Sequence, residues 1–185
     1  MPMAEIITEI VERRARRAFD TSPVSDEVLN RIFTAATLAP SCSNKQPWRF
    51  IACTADPALS RAREALLGGN YWAQRAPVLV VVTTQDDLDC QLTDDRNYAQ
   101  FDTGMAVMNM QLQATREGVY IHPMAGFEPQ TVREAFSLGP EIRVITMIAI
   151  GYPGDTSHLN EKHLAGETAA QERKGLDEVV RWNPV

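Results

Sequence analysis

Residues 39–50 read Ala39-Pro-Ser-Cys-Ser-Asn-Lys-Gln-Pro-Trp-Arg-Phe50, and the two prolines part a helix before them from a strand after. Upstream, Ser25 has the character of an N-cap for a helix reaching about Leu38, with Val28, Leu29, Ile32, Phe33 and Ala36 on one face. Downstream, Trp48 to Thr54 reads as a strand. Between them, Ser41, Ser43, Asn44 and Gln46 supply closely spaced hydrogen-bonding groups on a loop whose freedom both prolines restrict. That combination suits a loop presented to a flat heterocycle. The plainer alternative is a turn that uses Ser and Asn for its own geometry, followed by a core Trp.

Working outward, residues 4–18 show a helical rhythm at Ile6, Ile10 and Val11. Residues 58–67 read as a helix ending at Gly68-Gly69, and Pro77 to Thr84 as a strand apolar on both faces, hence central in a sheet. Residues 98–117 give the longest helix. Its stripe of Phe101, Met105, Met108, Leu112 and Thr115 predicts a core-facing side, and Gly118 its stop. Met105, Met108 and Met110 read as core packing. Val119 to His122 is a short extended piece, Pro129 begins a helix that Gly139-Pro140 ends, and Val144 to Ile150 is a third strand before Gly151-Tyr-Pro-Gly154. A short helix is expected near 175–181. Helices mixed with a few strands predict an α+β domain. With 185 residues and about 150 per domain, residues 1–185 read as one domain, large enough to bury about 70% of its unfolded surface.

The chain carries Lys+Arg 18 against Asp+Glu 24, a net charge of −6, which argues against a general polyanion binder. Three cysteines, Cys42, Cys53 and Cys90, are an odd count at wide spacings and predict reduced thiols in the cytosol. No zinc spacing links them to His122, His158 and His163, and the two latter histidines read as surface residues. Neither a basic, apolar leader nor an apolar run of membrane-spanning length is seen, so the expectation is a cytoplasmic protein without a membrane or nucleic-acid partner.

Against this acidic background, Arg13-Arg14-Ala15-Arg16-Arg17 stands out, because four neighbouring guanidinium groups repel one another without an anion. One reading is a phosphate site; the other is a solvated helix face, or a basic patch gripping nucleic acid. Ile121-His-Pro-Met-Ala-Gly-Phe127 holds Gly126, where a ligand can approach the backbone; alternatively it is an irregular link. Cys42 with His122 as nucleophile and base lacks an orienting third residue.

Together and in this order, these features resemble the flavin-dependent nitroreductase family. The resemblance rests on the R-R-x-x-R-x-F segment (Arg13 to Phe19), A-P-S-x-x-N-x-Q-P-W-x-F (Ala39 to Phe50), Asp102-Thr-Gly104 opening the long helix, Gly118, Gly126-Phe127, Gly151-Tyr-Pro153 and the basic Arg173 near the tail. It implies a nitroreductase-like α+β fold, with a central, mostly antiparallel sheet surrounded by helices, built as an intertwined homodimer with the tail (about 160–185) reaching the partner. It also implies one FMN per site and ping-pong transfer from NAD(P)H to a nitroaromatic or quinone-type acceptor. Arg13, Arg14, Arg17 and Arg173 would meet the FMN phosphate and ribityl chain. Pro40, Ser41, Cys42 and Asn44 would line the ring from the partner chain, Pro123, Ala125 and Gly126 would lie along its other side, and Gln74 aligns near a flavin-contacting Asn of some members. No catalytic side chain and no metal are implied. A dehalogenase or flavin-modifying specialisation remains the alternative within the family. Ala15 replaces the usual serine, and a thiol at Cys42 makes that edge sensitive to oxidation.

Overall fold

A computed structural model describes residues 6–183. The first two residues of the helix read at 4–18, and Pro184 and Val185 of the tail, lie outside them. In chain order the elements are α1 (Thr8–Glu12), α2 (Asp26–Thr37), β1 (Arg49–Cys53), α3 (Ala58–Glu64), β2 (Val78–Gln85), α4 (Ala99–Arg116), β3 (Tyr120–Met124), α5 (Pro129–Ala135), β4 (Ile142–Gly151), α6 (Glu161–Thr168) and α7 (Leu176–Val179). The strands form one antiparallel sheet in the order β1-β2-β4-β3, with Val80 opposite Ile148 and Val81 opposite Met147.

The apolar run of β2 is buried on both faces because helices cover both. Leu79, Val81, Met147 and Ala149 face a core with Phe19, Trp72, Leu59, Ala62 and Val132. Val78, Val80, Val82, Ile148 and Ile150 face the opposite core, made with Leu29, Ile32 and Ala36 of α2 and Ala106, Met110 and Ala114 of α4. The Ser25 cap is present, its side chain accepting the Val28 N–H. At the end of α4, Gly118 takes φ +68°, with its N–H bonded to Thr115 O and the Val119 N–H to Ala114 O. That is a Schellman ending, which favours glycine at this position.

Four expectations are corrected. The helix read at 4–18 stops at Glu12, and Arg13 is already extended (φ −54°, ψ 127°). Continuing it would stack Arg13 under Arg17, a like-charge i,i+4 pair. The chain instead runs beside the end of β4: Asp20 N–H bonds to Tyr152 O and Gly154 N–H to Ala18 O. A side chain at Gly154 would strike the Phe19 and Asp20 backbone, which couples Gly151-Tyr-Pro-Gly154 to the arginine segment. Second, the large-residue stripe of α4 faces outward in part: Phe101 is 63% exposed and Met108 is exposed, whereas Met105 packs half-buried against the core and Ala106, Met110 and Ala114 meet the sheet. Third, two cysteines are not free, because Cys42 and Cys90 form a disulfide. Fourth, α6 forms where no element was read. Asn160 caps it, accepting the His163 N–H.

The tail divides. Around α6, Asn160 N–H bonds to Tyr71 Oη, and His163 stacks on the Tyr71 ring at 5.5 Å. Further on, Leu176, Val179 and Trp182 are exposed. No helix is long and apolar enough to cross a membrane among the described residues.

Candidate functional site

An extended strand alternates its side chains, and the arginine segment shows the consequence. Arg14 and Arg16 line one cleft with Glu12, Thr115, Tyr120 and Pro153, while Arg13 and Arg17 act together on His122. Arg17 lies over the Trp72 ring, 5.7 Å from its centroid, and Trp72 packs against the His122 ring at 4.5 Å. His122 Nδ1 donates to Arg16 O at 2.8 Å. That bond pins the arginine segment to β3.

Among the described residues, neither the Arg13 nor the Arg17 guanidinium has a hydrogen-bonding or ion-pair acceptor on the protein. Burial lowers the Arg13 pKa, and the nearby positive charges of Arg173 and Arg14 lower it further. Glu167, which meets the segment, is engaged otherwise: it accepts the Arg17 backbone N–H at 2.6 Å and stands 3.9 Å from Arg16. A half-buried cluster of cations is thus left without a matching anion, which is costly. Burial also pushes His122 down to about 4, with Arg17 and Arg13 contributing, so its ring is neutral at pH 7.

From His122 the wall continues along β3 into Pro123, Met124, Ala125 and Gly126. The Gly126 N–H has no protein acceptor among the described residues, although Gly126 O accepts from Leu67 N–H and from Asn70 Nδ2 at 2.8 Å. An added Cβ at Gly126 would lie 2.7 Å from Asn70 Nδ2, so a larger residue there would displace the Asn70 amide. The neighbour is therefore Asn70, which the sequence reading missed. Its only local signal was the preceding Gly68-Gly69 turn.

Two predicted residues stand apart from this wall. Arg14 is tied to Val11 O, Arg13 O and Gln171 Oε1. Gln74 is exposed and donates to Arg63 O, whereas Asn70 donates to Gly126 O. Arg173 is exposed but close enough to Arg13 to perturb it.

Pro40, Ser41, Cys42 and Asn44 lie in a different place. Pro40, Ser41 and Cys42 line a cleft of about 410 Å³ with Leu92, Tyr98, Phe101 and Met105. Much of the loop's polarity is used internally: Ser41 Oγ accepts the Gln46 N–H, Ser41 O the Asn44 N–H, and Asn44 Oδ1 accepts from Gln46. Ser43, Asn44 and Gln46 all have positive φ (48°, 56°, 51°), which costs roughly 1–3 kcal/mol at each of the two residues other than asparagine. Asp102, at the start of α4, holds the loop by accepting the Cys42 N–H at 2.7 Å.

This geometry has close relatives. The chain is 27% identical to an NADH dehydrogenase of Thermus thermophilus, with 98% of each chain covered. A solved oxidoreductase containing FMN superposes with a TM-score of 0.87 at 30% identity, covering 97% of this chain and 92% of that one. A nitroreductase family protein of Clostridium difficile gives a TM-score of 0.78 at 25% identity, covering 97% and 99%. The nitroreductase family profile matches residues 10–69 and 54–152. Those matched spans hold the arginine segment, the proline-bounded loop, the long helix and the β3–Gly126 wall, and so the chain belongs to the nitroreductase family.

Proposed function

We propose that the protein is an FMN-dependent oxidoreductase that passes reducing equivalents from NAD(P)H to a nitroaromatic or quinone-type acceptor in a ping-pong scheme. The observation that carries this reading is the pair of Arg13 and Arg17 guanidinium groups, without an acceptor of their own among the described residues and joined by Arg173. Three clustered cations match a phosphate monoester dianion, and charge-assisted bonds from arginine to phosphate are among the stronger ones. The remainder of the wall fits the rest of the molecule. Trp72 and His122, both buried, back the cations from within the core, and the turn at Gly126 offers a backbone N–H.

FMN, when bound, supplies the two-electron redox chemistry. The chain's own residues bind and orient. Arg13, Arg17 and Arg173 neutralise the phosphate. Asn70 braces the Gly126 turn so that its N–H is held toward a ring acceptor. His122, neutral, keeps Arg16 in place without adding a fourth positive charge to the cluster. Arg14 and Gln74 are left out of this set, because each is engaged elsewhere.

The protein works as a homodimer. Exposed Phe101 and Met108 on α4, with Leu38 at the end of α2, make an apolar face of the kind that subunits cover. Pro40, Ser41, Cys42 and Asn44 reach the ring bound by the other subunit, and the segment beyond α6 extends across it. Each chain is one domain over residues 1–185, working in the cytoplasm. Absorbance of the purified protein and the flavin it releases on denaturation test the reading. One FMN per chain, with parallel-line kinetics for NAD(P)H and quinone, is expected; a protein that neither contains nor binds FMN would refute it.

A further inference from the structure

The Cys42–Cys90 bridge joins two segments 48 residues apart, with Cα atoms 6.0 Å from each other. It ties the proline-bounded loop to the excursion between β2 and α4. Cys42 lines the cleft of about 410 Å³, and both cysteines are half-buried. Two buried carboxylates stand beside them. The Cys42 N–H donates to Asp102 Oδ2 and the Cys90 N–H to Asp89 Oδ1, each at 2.7 Å. Asp89 is 3% exposed and Asp102 1%. The second oxygen of Asp89 is buried with no hydrogen-bond partner among the described residues, and an oxygen of that carboxyl group lies within 4.8 Å of both sulfurs.

A bridge that only fastened the loop would gain nothing from a buried carboxyl oxygen left without a donor at its side. We infer that Cys42–Cys90 is a reversible dithiol–disulfide centre that exchanges electrons with small dithiols, and that Asp89 is its proton donor. In reduction, one thiolate of the dithiol attacks Cys90 Sγ, forming a mixed disulfide. The Cys42–Cys90 bond breaks, and its electron pair goes to Cys42 Sγ, which takes the Asp89 proton. The second thiolate of the reagent then attacks its own sulfur in the mixed disulfide and releases Cys90 as a thiolate, which solvent protonates. Solvent also reprotonates Asp89. The dithiol loses two electrons and becomes a cyclic disulfide, while the protein gains two thiols. Asp89 suits the role because burial raises its pKa, an effect Asp102 strengthens while the bond from the Cys90 N–H and the charge of Lys45 oppose it. Those groups, Asp102 on α4, Lys45 in the loop and the two cysteines, are the titratable or charged neighbours that face it. A bridge of this kind also fits the reducing compartment proposed above, where disulfides are chiefly catalytic or redox-sensing.

The test counts thiols by mass after alkylation of the native, full-length protein. Following equilibration with oxidised dithiothreitol, a Cys42–Cys90 peptide and no alkylation of either residue are expected. After reduced dithiothreitol, both are alkylated without denaturant, while Cys53, fully buried and with its thiol pKa raised by burial to about 11, stays blocked. Asp89→Asn, which keeps an acceptor for the Cys90 N–H, slows reduction at pH 7 at least tenfold and alters its pH dependence. A bridge that never forms, or that reduces only in denaturant, overturns the inference. Reduction of Asp89→Asn at the wild-type rate and pH dependence overturns the role of Asp89. These outcomes are read without the flavin and so are separable from failure of the proposed function.

Discussion

At the scale of single residues, the arginines and His122 make the sharpest predictions. Truncating Arg13 or Arg17 removes charge-assisted hydrogen bonds worth about 1.5–3 kcal/mol each, so Arg13→Ala or Arg17→Ala is expected to weaken FMN binding by roughly 10- to 100-fold while leaving the thermal midpoint within a few degrees. Fluorescence titration checks the first and a melting curve the second. His122 has its pKa held at about 4 in the folded protein, below the unfolded value of about 6.5. The unfolded chain therefore binds the extra proton first. The stabilisation is fully present above pH 6.5, falls as acid is added, and is lost below pH 4, about 3 kcal/mol in all. Denaturant midpoints measured across that window, for wild type and His122→Asn, should diverge above pH 6.5 and converge toward pH 4. An anion beside Arg13 and Arg17 offsets their repulsion, so NMR titration with FMN present should move the His122 pKa upward. Asn70 and Gln74 show what sequence leaves open at this scale. Both are polar residues of one irregular segment, and only the fold decides that Asn70 meets Gly126 while Gln74 meets Arg63.

At the scale of elements, β2 was legible because an unbroken apolar strand has to be covered on both faces, and the helix after Ser25 because its cap and its buried face agree. The long helix was legible in extent but not in orientation. Periodicity reveals that a face is apolar without saying what covers it, and here Ala106, Met110 and Ala114 pack on the sheet while Phe101 and Met108 point away. The arginine segment was misread as helix because three apolar residues set the rhythm; charge repulsion and pairing with β4 then won. Phe19 closes that segment, fully buried, stacked on Trp72 at 5.9 Å and edge-on to Tyr120 at 6.4 Å. Phe19→Ala is expected to cost about 3–5 kcal/mol and, by loosening Arg17 over Trp72, to weaken FMN binding as well. Chemical denaturation together with the FMN titration checks both effects. The disulfide was illegible, since its formation depends on where the 86–98 excursion lands. The cysteine count alone gives no hint of that.

For the whole molecule, the question is how the two clefts combine. The cationic wall and the proline-bounded loop occupy separate places in one chain, and in the homodimer proposed above a second subunit brings the loop of one to the wall of the other. Phe101→Glu with Met108→Glu puts charge into the outward face of α4 and is expected to yield a monomer by sedimentation, with FMN affinity reduced at least tenfold. A charged variant that remains dimeric and retains full affinity would place the interface elsewhere. If the Arg13–Arg17 pair holds a phosphate, titration of FMN and riboflavin, which differ only in that group, into wild type and the Arg13→Ala/Arg17→Ala variant will reveal it. Wild type should prefer FMN by about 100-fold or more, and the variant should lose this preference while riboflavin affinity is unchanged. Equal affinities of wild type for the two flavins would contradict it.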